Sequence, residues 1–327
     1  MSAPPSPVRL HVVTGKGGTG KTTVAAALAL ALAAGGHRTL LAEVEGRQGI
    51  AQLFDTPPLP YEERKVAVGP GGGDVIALAV DPEEALLEYL DMFYRLGRAG
   101  RGLRRIGAID FATTIAPGMR DVLLTGKVYE AVRRKTKNGA PAYDAVVLDA
   151  PPTGRITRFL GVNAEVAGLA RVGPIRGQAD SIMGLLRSAM TAVHLVTLLE
   201  EMPVQETADA AAELTAAGLP VGGIVVNAVR APQLKQADLT AAAKGELDSG
   251  LVAAGLEAAG VGVRANAVDA LLVEAAEHAT RVALEKRQRR ELKALDRPTY
   301  DLPLLADGVD LGALYHLAER LCHQGMA

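Results

Sequence analysis

The chain has 327 residues, 49% of them hydrophobic and 3% aromatic, with no tryptophan and a formal net charge of −2. This length suffices for one large α/β domain, or for one domain plus an insert. The composition excludes an aromatic stacking platform for single-stranded nucleic acid and a global attraction to DNA or acidic membranes. Cys322, the single cysteine, excludes a disulfide framework or a four-cysteine zinc site within one chain and fits the reducing cytoplasm.

The N-terminal MSAPPSPVRL has prolines where a signal peptide would carry an apolar core, so residues 1–7 read as a disordered lead-in to a single domain over 8–327. Val8–Thr14 is a short β-rich run. A Gly-rich loop follows, then a helical stretch from Lys21 to about Ala34, a Gly35-Gly36 stop and a second strand at Thr39–Glu43. The apolar run Val24–Ala34 is too short to span a bilayer. Pro57–Pro60 and the GPGGG at 69–73 read as surface turns. Further strands are expected at Val75–Val80, Ala145–Asp149, Val193–Leu198, Gly223–Asn227 and Thr299–Leu302. Helical patterns separate most of them, including Glu206–Ala217 and Val268–Ala294. The alternation predicts an α/β fold, a doubly wound and mainly parallel sheet. Residues 81–137 and 161–192 carry no good strand pattern and together predict an inserted helical subdomain.

Gly15-Lys16-Gly17-Gly18-Thr19-Gly20-Lys21-Thr22 has the spacing G-x-x-x-x-G-K-[ST], after a strand and opening a helix. Glycines let successive backbone N–H groups curl round phosphate oxygens, and the helix N-terminus adds its partial positive charge. Lys21 is placed to reach the β- and γ-phosphates of ATP and the Thr22 hydroxyl to ligate Mg2+, with the nucleotide contacts running on to Thr23. Asp149 ends the apolar strand AVVLD and is the candidate second Mg2+-side group. In LAEVEG, alternation puts Glu43 and Glu45 on one face of a strand end, and either can orient the catalytic water.

These segments resemble a known family. TGKGGTGKTT is similar to the deviant Walker A loop of the SIMIBI class of P-loop NTPases, and LDAPPTGRITRFL looks like the second switch of the arsenite-pump and guided-entry (tail-anchored protein targeting) ATPases. DVIALAVDPEEALLEYL, IAPGMRDVL, LLEEMPVQETADAAAEL and GGIVVNAV resemble that family's segments in the family's order, so the likeness covers nearly the whole chain. The resemblance implies a nucleotide-sandwich dimer that hydrolyses ATP, of which this chain, with one P-loop, is one half. It implies that Lys16 is the signature lysine reaching across to the partner's nucleotide. It also implies that Pro152, Thr153, Gly154 and Arg155 belong to the switch, that Asn227 hydrogen-bonds adenine, and that Pro303 lies near the base. Glu45 falls where the family's water-activating Asp sits and is one methylene longer; Arg155 stands where the family usually has His. A lone cysteine does not supply the thiolate cluster of arsenite binding, the zinc clasp or an iron–sulfur site.

The expectation is a cytoplasmic Mg2+-dependent ATPase, a homodimer or a heterodimer with a related chain, coupled to a protein partner or hydrophobic client. It has no nucleic-acid partner and at most transient membrane association. The alternative is a weakly hydrolytic or non-hydrolytic regulatory subunit paired with a related chain. RLGRAGRGLRR at 95–105 reads either as a solvated linker or as a contact with an acidic partner or membrane surface. Met92, Phe93, Met119, Met183, Leu185, Leu186 and Met190 read either as helical core or as an adaptable client surface. Lys286–Arg290 reads as a charged helix face, and His11, His194 and His316 as structural.

Overall fold

The computed structural model of the protein describes residues 8–94, 118–169, 174–262, 265–306 and 308–327. The lead-in at 1–7 and the basic run at 95–105 lie outside the described residues. Eight strands form one sheet: β1 (Leu10–Gly15), β2 (Thr39–Glu43), β3 (Arg64–Val68), β4 (Asp74–Ala79), β5 (Ala145–Asp149), β6 (Thr191–Thr197), β7 (Val221–Val229) and β8 (Thr299–Pro303). Their order is β3-β4-β2-β5-β1-β6-β7-β8, and only β3 runs antiparallel to its neighbour. The strands β2, β5, β1 and β6 are buried along their whole length, which is why they read as continuous apolar runs rather than as alternation.

β3 has no counterpart among the strands expected from sequence. Arg64-Lys65-Val66-Ala67-Val68 is an edge strand with charged, exposed residues, which blunt an edge against further pairing and hide it from an apolar-run search. The GPGGG turn closes the β3–β4 hairpin through Gly69 N–H to the Gly73 carbonyl, 2.6 Å. The stretch without strand pattern also ends earlier than expected, because β6 begins at Thr191.

Helices cover both faces. On one lie α1 (Lys21–Leu32), the short α2 (Gly49–Leu53) and α11 (Leu311–His323). Every residue of α1 from Val24 to Ala31 is buried, and its alanines allow close approach of Leu314, Leu317, Ala318 and Leu321 of α11. Cys322 Sγ lies 3.7 Å from the Ala31 carbonyl oxygen. On the opposite face α4 (Met119–Arg133), α5 (Thr153–Leu169), α6 (Pro174–Leu186) and α7 (Glu201–Ala216) share one apolar core with the sheet. α3 (Pro82–Tyr94) packs on α4, and α4, α5 and α6 pack on one another. Met183, Leu185 and Leu186 are buried in that core, while Met119 and Met190 are 39% and 40% exposed. The side chains of Met92 and Phe93 lie outside the described residues.

Residues 236–258, unassigned from sequence, form α8 (Gln236–Lys244) and α9 (Ser249–Ala258) beside the long α10 (Ala265–Lys293). Leu239, Ala242 and Ala279 make a small satellite core there.

β7 and β8 slip register between Val226 and Val229, and Ala228 at the bulge has a φ of 52°. A Cβ in the left-handed region is strained, so Ala228→Gly is expected to raise stability by about 0.5–1 kcal/mol. A urea midpoint that falls instead of rising would overturn that account.

Candidate active site

The chain leaves β1 towards β2 on one side and β6 towards β7 on the other, so β1 and β6 flank the topological switch point where doubly wound sheets bind ligands. The loop from Gly15 to Gly20 emerges there. A Cβ on Gly15 would stand 2.2 Å from the Val196 carbonyl oxygen, and one on Gly20, whose φ is +86°, 2.3 Å from the Asn227 amide nitrogen. Both glycines are therefore obligatory for the turn. Thr19 closes it, donating through its hydroxyl to the Lys16 carbonyl oxygen at 2.8 Å. Gly17 and Gly18 stay exposed at the tip, leaving a concave backbone at the start of α1. Asn227 Nδ2 donates to the Thr19 carbonyl at 2.9 Å, which holds the end of β7 against the loop. Pro303, the last residue of β8, pairs in register with Val229.

Lys21, Thr22 and Thr23 form the first turn of α1, with Lys21 buried. The Thr22 hydroxyl donates to Asp149 Oδ2 at 2.7 Å, while Asp149 Oδ1 is buried without a hydrogen-bond partner. Burial pushes the Asp149 carboxyl up to about 6, against the Thr22 hydrogen bond and Lys21, with Glu43 and Glu45 adding to the rise. Buried, unpaired carboxylate oxygens are rare in native proteins. A hydroxyl and a carboxylate are hard oxygen donors, and Mg2+ typically takes one or two such protein ligands beside phosphates and water. The donor set therefore fits Mg2+.

Glu43 stands opposite Asp149 in the β2–β5 register, yet its carboxylate is buried against the backbone N–H groups of Gly49 and Ile50 at 3.3 and 3.5 Å. Glu45, just past the strand, has a half-buried side chain with Oε2 3.7 Å from Arg47 Nε. The structure thus separates two carboxylates that strand alternation leaves equivalent: Glu43 accepts from the N–H groups that open α2, and Glu45 faces Arg47.

Thr14 ties β1 to the switch, its hydroxyl donating to the Pro151 carbonyl at 2.6 Å. After Pro152, Thr153 and Gly154 open α5, and the Arg155 N–H donates to the Pro152 carbonyl at 2.8 Å. The side chain of Arg155 is 61% exposed, its guanidinium 3.9 Å from Asp121 on α4. Lys16 Nζ donates to Glu206 Oε1 of α7, and Glu206 Oε2 accepts from the Thr153 hydroxyl at 3.2 Å. Glu206 lies in a segment that resembles the family's, but nothing in the sequence assigns it to the site. Its position becomes visible only once β6 is known to neighbour β1, which starts α7 beside the loop.

A family model for anion-transporting ATPases matches residues 8–190. The ATPase BagA of Mycobacterium tuberculosis is 58% identical over 323 residues, 98% of this chain and 94% of that protein. The ATPase GET3 of Kluyveromyces lactis is 26% identical over 260 residues, 69% of this chain and 73% of its own. The arsenical pump-driving ATPase of Escherichia coli is 26% identical over 248 residues, 70% of this chain and 41% of that longer protein. With the loop, the Thr22–Asp149 pair and the parallel sheet already in place, the chain belongs to the arsenite-pump and GET3 family of P-loop ATPases.

Proposed function

We propose that this chain is one subunit of a Mg2+-dependent nucleotide-sandwich ATPase that couples ATP turnover to a protein partner or hydrophobic client in the cytoplasm. The observation that carries the reading is the Thr22–Asp149 pair at the foot of the loop, with Asp149 Oδ1 buried and unpartnered. When bound, Mg2+ would neutralise charge on the phosphates, held by Thr22 and Asp149. Lys21 and the loop N–H groups position the γ-phosphate, Glu45 orients the attacking water and accepts its proton, and Asn227 with Pro303 receives the base.

Lys16 supplies the link to a second chain. Its ammonium is held by Glu206 of its own chain, and the same carboxylate holds Thr153 of the switch. Reaching a partner's phosphate requires Lys16 to leave Glu206, so closure and switch rearrangement are one event. Lys16→Ala is expected to leave nucleotide affinity within a few-fold of the parent while lowering turnover at least tenfold. Equal turnover would overturn the role. The pair is about one-third exposed on both sides, and such pairs contribute at most about 1 kcal/mol. Glu206→Gln is therefore expected to lower the ATP concentration for self-association about two- to fivefold, read by analytical ultracentrifugation. No described helix is long and apolar enough to cross a membrane, and Met119 and Met190 remain as exposed methionines for client contact.

A second reading, a weakly hydrolytic regulatory subunit, is favoured by Glu45 leaning towards Arg47. Phosphate release by the chain alone and with a related chain separates the two. Robust release by the chain alone rejects the second.

A further inference from the structure

α10 places His278, Arg281, Val282, Glu285, Lys286 and Arg289 at the three- and four-residue spacing that makes one helix face. That face and the end of β7, continuing through Arg230-Ala231-Pro232, enclose a cavity of about 260 Å3. The phosphate loop, Asn227 and Pro303 are not among its walls, although Val229, which is, pairs in register with Pro303. Part of the charged stretch Lys286–Arg290 thus has a specific direction: Lys286 and Arg289 line the cavity, while Arg287 pairs along the helix with Glu291 at 3.4 Å.

The walls carry four cations against one carboxylate, Glu285. Arg230 meets Glu285 at 3.4 Å, and Arg289 grips Asp301 of β8 with two contacts at 3.0 and 2.9 Å. Among the described residues Arg281 has no carboxylate within ion-pair distance, and Lys286 donates only to the amide oxygen of Gln236. Val229, Pro232 and Val282 supply apolar wall. His278, 9% exposed, also lines the cavity. Two cations on one wall that no carboxylate compensates favour an anion's oxygens between them. The volume lies below that of pockets for drug-sized molecules, which limits the guest to a short one.

We propose that this cavity binds a small organic anion, its carboxylate or phosphate-monoester head held by Arg281 and Lys286 and its short apolar body against Val229, Pro232 and Val282. The assignment stands apart from the ATPase reading. The test is calorimetric titration of the full chain, with and without saturating Mg-ADP, using hexanoate, monobutyl phosphate, 1-hexanol and inorganic phosphate as probes. Saturable one-site binding of hexanoate or monobutyl phosphate is expected under both conditions, with 1-hexanol and inorganic phosphate at least tenfold weaker than the better organic anion. Whichever of the two binds more tightly identifies the head group. Arg281→Ala and Lys286→Gln, both on an exposed helix face, are each expected to weaken binding about tenfold or more. Absence of saturable binding by both organic anions, affinity unmoved by both cation substitutions, loss of binding when Mg-ADP fills the loop, or inorganic phosphate binding as tightly as the organic anions would each overturn the proposal.

Discussion

Asp149→Asn is expected to cut Mg2+-dependent ATP hydrolysis by about 10²–10³-fold while making the metal-free protein more stable at neutral pH. Both effects come from the same burial. The Asp149 carboxyl sits at about 6 instead of its usual 3.8, chiefly because it is removed from water. The folded state therefore holds a proton that the unfolded state has already released between those pH values, and stability falls as pH rises through that window. At pH 7 the ionised group costs on the order of 3 kcal/mol, since each tenfold change in proton affinity is worth about 1.4 kcal/mol. Asparagine keeps an acceptor for Thr22 and removes the charge. The parent should gain melting temperature on adding Mg2+ with nucleotide, and the variant should start higher and gain less. A variant that melts lower without metal, or hydrolyses ATP at the parent's rate, would overturn the assignment.

The second large effect is acid unfolding through two histidines that play no part in the nucleotide chemistry. His11 of β1 and His194 of β6 stack with ring centroids 5.3 Å apart, and His11 Nδ1 lies 3.1 Å from His194 Nε2. The Gly223 N–H donates to His194 Nδ1, so the neutral His194 carries its proton on Nε2 and gives it to His11. Burial lowers His11 to about 4, with a backbone hydrogen bond to Val8 opposing; burial and then His11 lower His194 to about 3. Below the ordinary value of 6.5 the unfolded chain takes up protons that the folded chain refuses, so stability is intact above pH 6.5 and lost as pH falls towards 4. The slope approaches roughly 1.4 kcal/mol per pH step for each histidine, which is large against a typical total of about 5–15 kcal/mol. Proton uptake by Asp149 over the same range offsets part of this loss, so the expected result is a net fall in the urea midpoint between pH 6.5 and pH 4. His11→Met should halve the slope, at a cost of about 1–3 kcal/mol at pH 7 for the orphaned His194 donor. An unchanged acid limb in that variant would show that other groups control it.

Much of the frame was legible because parallel strands buried on both faces leave continuous apolar runs. β2 and β5 begin and end where the sequence suggested, and the loop between β1 and α1 follows from spacing alone. β3 escaped because an exposed antiparallel edge needs no such run. α8 and α9 escaped because alanine- and glycine-rich segments that pack mainly on a neighbouring helix show little periodicity. Lys21 and Thr22 stand out in the sequence by their motif, and Asp149 by ending an apolar strand. Nothing comparable singles out two other long-range meetings, Glu206 with Lys16 across 190 residues and His11 with His194 across 183. The distinction between Glu43 and Glu45 also needed coordinates, since it depends on where α2 starts relative to the strand end.

The cover over α1 sets a timetable for the molecule. Ala31 is contacted by Cys322, 291 positions downstream. On a ribosome the phosphate loop and its helix emerge early, yet the apolar back of that helix stays wet until α11 has been synthesised and released from the exit tunnel. Long-range closure of this kind is slow and exposes sticky surface meanwhile. The loop and its helix are therefore translated well before the helix that secures them, and a nascent chain of this kind needs chaperone protection over that interval.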